Sequence, residues 1–340
     1  MADYATESAR KLLQELKMTA GKYAVFALSA RKKYTSLMLN QEPEVRKIFI
    51  KAGDQVSKEI LSLRNLGYGS ILNDRYLEPL MKMLRETNIS QSLREKMNQS
   101  IIKGVDAGTS YSFDITKLHI SSAKIPVKPL ERMIFRINKQ AVDAMWARSE
   151  NGLMLSDRIW QKGLKARHAM SEIIQDGIKN GEDPVKTARL LEQYVRRGKK
   201  TLSGDYPEMM ERLGNRIPND LSYEALRLVR LETAAAFGEG TIAAARVSPS
   251  YRGMKWVLSG AHPKPDICDE LAGADHGMGR GIWPVGEEPN MPAHPNCLCV
   301  LIAVHEDLDQ FMSRFNQWTK NPSSQPDLED WYENVYSKVA

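Results

Sequence analysis

Residues 255–304 read KWVLSGAHPKPDICDELAGADHGMGRGIWPVGEEPNMPAHPNCLCVLIAV. All three cysteines of the chain and two of its six tryptophans lie here, and Gly and Pro interrupt any helical period. On either side the chain reads as helix after helix. The expected fold class is therefore mainly α: an extended N-terminal helical hairpin and a helical body, then a small α+β, loop-rich Cys/His domain and a helical tail. Domain boundaries fall at 1–125, 126–250, 251–304 and 305–340.

Cys297 and Cys299 follow His294 by three and five residues, and Cys268 lies a loop's length upstream. Thiolates and an imidazole in this arrangement suit a tetrahedral structural zinc, with Cys268, His294, Cys297 and Cys299 as ligands and His262 in reserve. Two other readings stay open. In an extended segment Cys297 and Cys299 point the same way with Leu298 opposite, so both thiols can simply be buried. Alternatively Cys268 pairs with one of them as a disulfide, although an odd cysteine count and the absence of a signal peptide argue against an oxidised framework.

The 340 residues, 42% hydrophobic and 26% charged, have the composition of an ordinary globular chain. A formal charge of +6 favours acidic partners such as nucleic acid. No uninterrupted apolar run is long enough to span a bilayer, so no membrane partner is expected and a cytosol-like compartment is.

Upstream, Leu12, Leu16, Ala20, Tyr23, Ala27, Ala30, Tyr34 and Leu37 step by three and four along a helix over residues 4–39. Asn40 to Pro43 should break it. Val45, Phe49, Ala52, Val56, Ile60 and Leu63 mark a second helix ending near Gly67, which makes the pair a hairpin. Helices follow over 76–87 and 92–105, the latter opening on a Ser92/Glu95 capping box. Ser-rich, β-branched residues 111–129, with Pro126 and Pro129, read as an irregular connector. Next come helices over 130–148 and 156–179, and a Gly181-Glu182-Asp183-Pro184 stop and start. The helix after it ends in Arg196, Arg197, Lys199 and Lys200, the densest basic cluster and the best candidate for a phosphate contact; cations complementing a helix C-terminus, followed by a solvated loop, are the simpler explanation.

Residues 221–246 form a strong helix whose inner face (Leu226, Val229, Thr233, Ala236, Gly240, Ala243) is built from residues small enough for another backbone to approach closely. Arg230 and Glu232, two apart, cannot face each other and must serve different partners. Strands are expected near 254–259 and 298–304, then a helix over 306–319, a hinge at 321–326, and an amphipathic tail around Leu328, Trp331, Val335 and Tyr336. That tail either folds back on its own domain or docks on a partner.

No phosphate-binding loop, dinucleotide fingerprint, zinc-protease motif or nucleophile elbow occurs. Enzymatic chemistry would have to come from His262, Asp266, Asp269, Glu270, Asp275, His276 and His294, as a metal-dependent hydrolase or nucleic-acid-processing site. A structural role is the expectation.

Taken in order, Arg230-Leu231-Glu232-Thr233, Lys255-Trp256, Asp266-Ile267-Cys268 with Leu271-Ala272-Gly273, and His294-Pro295-Asn296-Cys297-Leu298-Cys299 resemble the Mu F-like minor head proteins of tailed bacteriophages. The resemblance covers residues 156–304. Two positions depart from it: Leu271 stands where many relatives have a second cysteine, and Leu298 where they have Arg. The resemblance implies a low-copy protein of the capsid interior, made in the host cytoplasm. It would associate with the portal protein, and with scaffold or major capsid protein, and act in double-stranded DNA packaging, retention or ejection.

Overall fold

The structure, a computed structural model, describes residues 2–259, 265–295 and 297–339. Helices dominate it: α1 (Ala2–Ala20), α2 (Ala24–Leu63), α3 (Leu77–Glu86), α4 (Ile89–Ser122), α5 (Lys128–Ala147), α6 (Leu155–Lys179), α7 (Pro184–Arg197), α8 (Pro207–Leu213), α9 (Tyr223–Arg246), α10 (Ile267–Gly273), α11 (Leu308–Lys320) and α12 (Pro326–Trp331). The strands are short: β1 (Ser149–Glu150) pairs with β2 (Leu153–Met154), and β3 (Tyr251–Val257) lies between β4 (Ile282–Trp283) and β5 (Val300–His305), all antiparallel. The mainly α class with a small α+β region is what the sequence predicts.

Two breaks expected from sequence do not form. α2 runs without interruption through Asn40–Pro43, so the N-terminal hairpin turn is absent there. Pro43 forfeits one helical hydrogen bond, and the wholly buried Gln41, Val45 and Phe49 around it offset that loss through packing. The chain instead changes conformation at Gly21, in the left-handed region at φ 52°, between α1 and a 3₁₀ turn over Gly21–Tyr23.

α4 likewise starts at Ile89, ahead of the Ser92/Glu95 pair, and continues through the presumed connector to Ser122. Its hydroxyls make this possible. Thr109, Ser110, Thr116 and Ser122 donate to the carbonyls of Asp106, Ala107, Ser112 and Leu118, three or four residues back. Such back-bonding satisfies within the helix the groups that favour turns elsewhere. The proline-imposed gap shrinks to residues 123–127, and Pro129 sits in the first turn of α5, where its missing amide costs nothing.

The chain packs as two compact units, each gathered from separate stretches: Met1–Leu39, Gln99–Ala147 and Arg230–Ala340 in one; Asn40–Asn98 and Arg148–Val229 in the other. The sequence reading divided the chain consecutively.

In the first unit the predicted stripe from Leu12 to Tyr34 is buried in one core with Tyr111, Phe237, the β3 and β5 side chains and the three cysteines, while its last member, Leu37, is only half-buried. The small face of α9 meets α4 as expected. A Cβ on Gly108 would stand 2.1 Å from the Phe237 carbonyl oxygen, and one on Gly240 2.5 Å from that of Val105. A second core joins α5, α11 and the C-terminal tail. Leu328 and Trp331 are buried in it, Trp331 Nε1 donates to Val247 O at 2.9 Å, and the Tyr336 hydroxyl donates to Pro126 O. The tail folds back on its own unit.

In the second unit Gly181 takes φ 60° and the Asp183 carboxylate accepts the Val185 and Lys186 amides ahead of Pro184, as the sequence predicts. Asp176, 4% exposed, receives both Arg212 and Arg216, which also bind Glu182 and Glu172.

Candidate metal centre

Two segments of the first unit carry the cysteines to one point, and a third, after β3, supplies an amide. α10 is started by a capping box: the Asp266 carboxylate accepts the Cys268 amide at 2.8 Å, and the Asp269 carboxylate accepts the Asp266 amide at 2.8 Å. This fixes Cys268 in the first turn. Cys297 and Cys299 lie just before β5, in the extended alternation that leaves both buried and Leu298 53% exposed. At the end of β3 the Ser259 amide donates to Cys299 Sγ at 3.3 Å.

The three sulfurs lie within 4.8 Å of one another, Cys268 and Cys297 at 3.5 Å. That is non-bonded contact, and all three cysteines are free and buried, so the disulfide reading falls. Four sulfurs at about 2.3 Å around a tetrahedral ion would stand about 3.8 Å apart; three thiols in this range form a site that could hold a metal. Proton sharing already polarises them. Sulfhydryl donation from Cys299, and from Cys268, holds the Cys297 thiol below its ordinary range, whereas the donated proton pushes Cys299 up and burial does the same to Cys268.

His294 stands beside this group without completing it. Asp266, Cys268 and His294 form a second triad within 4.8 Å, so the predicted ligand set is assembled as two overlapping triads that share Cys268. His294 Nε2 faces Asp266 Oδ2 at 3.2 Å and Nδ1 approaches Pro295 O at 3.0 Å. A carboxylate orienting a ligand histidine is the usual outer-shell device; the sequence offers Asp266 as an acid–base or metal candidate and as a motif position, but not as the partner of His294. The reserve ligand His262 lies outside the described residues.

The other motif residues brace this module. Trp256, 1% exposed, donates its amide to Gly281 O at 2.8 Å; Trp283 Nε1 donates to Leu271 O at 3.2 Å. Gly281, at φ 71°, has the Ala272 oxygen 2.9 Å from where a Cβ would be; Gly273, at the end of α10, meets nothing closer than 3.8 Å. Glu232 and Thr233 are wholly buried in α9, and Arg230 is half-buried. Among the acid–base candidates, the His276 ring meets Trp283 at 4.3 Å, tilted by 45°, and the Asp275 carboxylate accepts the Gly277 and Gly279 amides.

No family model, curated protein or solved structure matches the chain.

The predicted phosphate contacts belong to the second unit. Arg196 is held by Asp54 at 2.8 Å and by Glu192 O, and Lys199 donates to Gly214 O; Arg197 and Lys200 are exposed. Only the latter two project freely. A basic face the sequence reading missed lies on α5 in the first unit: Lys128, Arg132, Arg136 and Lys139 share its exposed side with Phe135, 73% exposed. None of the four is in an ion pair among the described residues. They are spaced by four, four and three, so they align only once the helix is drawn; a search for consecutive cations passes over them.

Proposed function

We propose that the chain is a minor head protein of a tailed bacteriophage. It would act inside the capsid, after assembly in the host cytoplasm, with the portal protein as principal partner, scaffold or major capsid protein as further contacts, and double-stranded DNA as its polyanion. The observation that carries this reading is the ordered set of motif pieces from Arg230 to Cys299. They are far apart in sequence yet belong to one unit, whose core contains the buried thiol cluster.

In this reading the cluster is structural and its ion is zinc, held by Cys268, Cys297 and Cys299, with His294 as fourth ligand once it turns from Asp266. Zinc there would cross-link the start of α10 to the start of β5. Cysteines that are at most 4% exposed suit a closed structural site better than a catalytic one, which keeps a position open to water. DNA contact would run through Arg197 and Lys200 and through the α5 face.

Purified chain should co-sediment with portal oligomers and retain duplex DNA in a salt-dependent manner. Each phosphate contact contributes about 0.9 to the slope of log affinity against log salt, so replacing the four α5 cations by Gln should lower that slope by up to about 3.6. Absence of portal association at low ionic strength would overturn the proposal.

A further inference from the structure

The first unit contains a small cavity that the thiol cluster does not use. Its walls come from α1 and α2 (Leu16, Arg31), α4 (Tyr111), α9 (Phe237, Thr241) and β5 (Leu301), and its volume is about 20 Å³. That is room for roughly one or two water-sized groups. Two of the lining residues carry buried polar atoms with no hydrogen-bond partner among the described residues: Arg31 Nη1 and the hydroxyl of Tyr111, a side chain 4% exposed. Arg31 also lies over the Tyr34 ring at 5.4 Å. Burial draws its pKa down, and the neighbours acting on it electrostatically are Tyr34 and Cys299; neither is a carboxylate. A guanidinium remains charged even so. The remaining polar wall group, the Thr241 hydroxyl, is spent on Phe237 O at 2.8 Å.

The cavity therefore presents one full positive charge and one phenolic proton against apolar walls, with no carboxylate. Water satisfies such a site poorly. It can accept from Arg31 and Tyr111, but its own protons then point at hydrocarbon, and the charge of half-buried Arg31 gains no counter-ion in the cavity. An anion accepts both donors and cancels the charge. We propose that this cavity is a binding site for one small monoanion, a halide or a formate-sized carboxylate, held between Arg31 and Tyr111. The assignment does not depend on the proposed phage role.

The test compares thermal midpoints of the full chain in sodium chloride, sodium formate and sodium gluconate at equal ionic strength. A ligand that binds only the folded state raises the midpoint in a saturable way. Chloride, formate or both should do so, and gluconate, too large for the cavity, should not; which of the first two acts identifies the anion class. Chlorine-35 line broadening or carbon-13 formate saturation transfer reads binding directly. Tyr111→Phe should weaken it about tenfold or more, as expected for loss of one hydrogen bond to a charged group, and Arg31→Met should abolish it. Identical midpoints in all three salts would overturn the proposal, as would a response that persists undiminished in Tyr111→Phe. The wild-type and Tyr111→Phe arms decide the matter even if Arg31→Met fails to fold.

Discussion

Replacing Gly108 by Ala tests the close approach of α4 and α9 most directly. Two opposing effects can be weighed. Alanine in a helix interior is favoured over glycine by about 1 kcal/mol. Against it, the new Cβ would meet the Phe237 carbonyl oxygen at 2.1 Å and the Thr241 nitrogen at 2.9 Å, both backbone atoms that cannot rotate away. An ordinary C···O contact is about 3.3 Å, so the helices must separate by about 1 Å. That shift would also loosen the neighbouring contact of Gly240 with Val105. Such overpacking costs about 3 kcal/mol, the upper end of the usual range, and the net expectation is a loss of about 2 kcal/mol. Urea titration followed by tryptophan fluorescence reads the loss directly, and the thermal midpoint should drop by about 4–8 °C. Gly163→Ala is the control: its Cβ would also find an atom at 2.1 Å, but that atom is Ser90 Oγ, on a side chain free to choose another rotamer. It should stay within about 1 kcal/mol of wild type. Equal stability of Gly108→Ala and wild type would refute the close-packed crossing.

Acid should destabilise the first unit through its buried imidazoles. Burial lowers His119 and His305 from 6.5 to about 3, so the unfolded chain binds protons that the folded one refuses. Stability is complete above about pH 6.5 and falls toward pH 3, by up to about 1.4 kcal/mol per pH unit for each group. His119→Gln should flatten the slope between pH 6 and 4 by about one proton; an unchanged slope would count against the buried neutral imidazole. Glu288 is held down to about 2, where burial is outweighed by Arg246, the Gly286 amide and the Tyr251 hydroxyl. Its contribution is present above 4.5 and lost as pH falls toward 2. Glu288→Gln should therefore cost about 1–3 kcal/mol at neutral pH and nothing further near pH 2. Zinc-loaded protein should show three thiols inaccessible to a thiol reagent until a chelator is added, and Cys297→Ser should lower zinc content by elemental analysis; full zinc retention in that variant would remove the three-sulfur site.

Local pattern determined much of this protein. The three-and-four spacing of Leu12 through Tyr34 defines the buried stripe, Gly181 and Asp183 define a stop and a start, and the alternation of Cys297, Leu298 and Cys299 sorts buried thiols from an exposed leucine. These are properties of one helix turn or one strand pleat, which neighbouring residues fix by themselves. Tertiary structure decided the rest. Pro43 and the Ser/Thr-rich half of α4 carry local signals for a break, and those signals lose because packing offsets a missing amide and back-bonded hydroxyls find partners inside the helix. The sequence could nominate Cys268 and His294. Only the folded chain separates the sulfur triad from the Asp266–His294 pair, or leaves Arg31 and Tyr111 facing one cavity without an acceptor. Such arrangements depend on distances between residues dozens to hundreds of positions apart, and no local spacing encodes them.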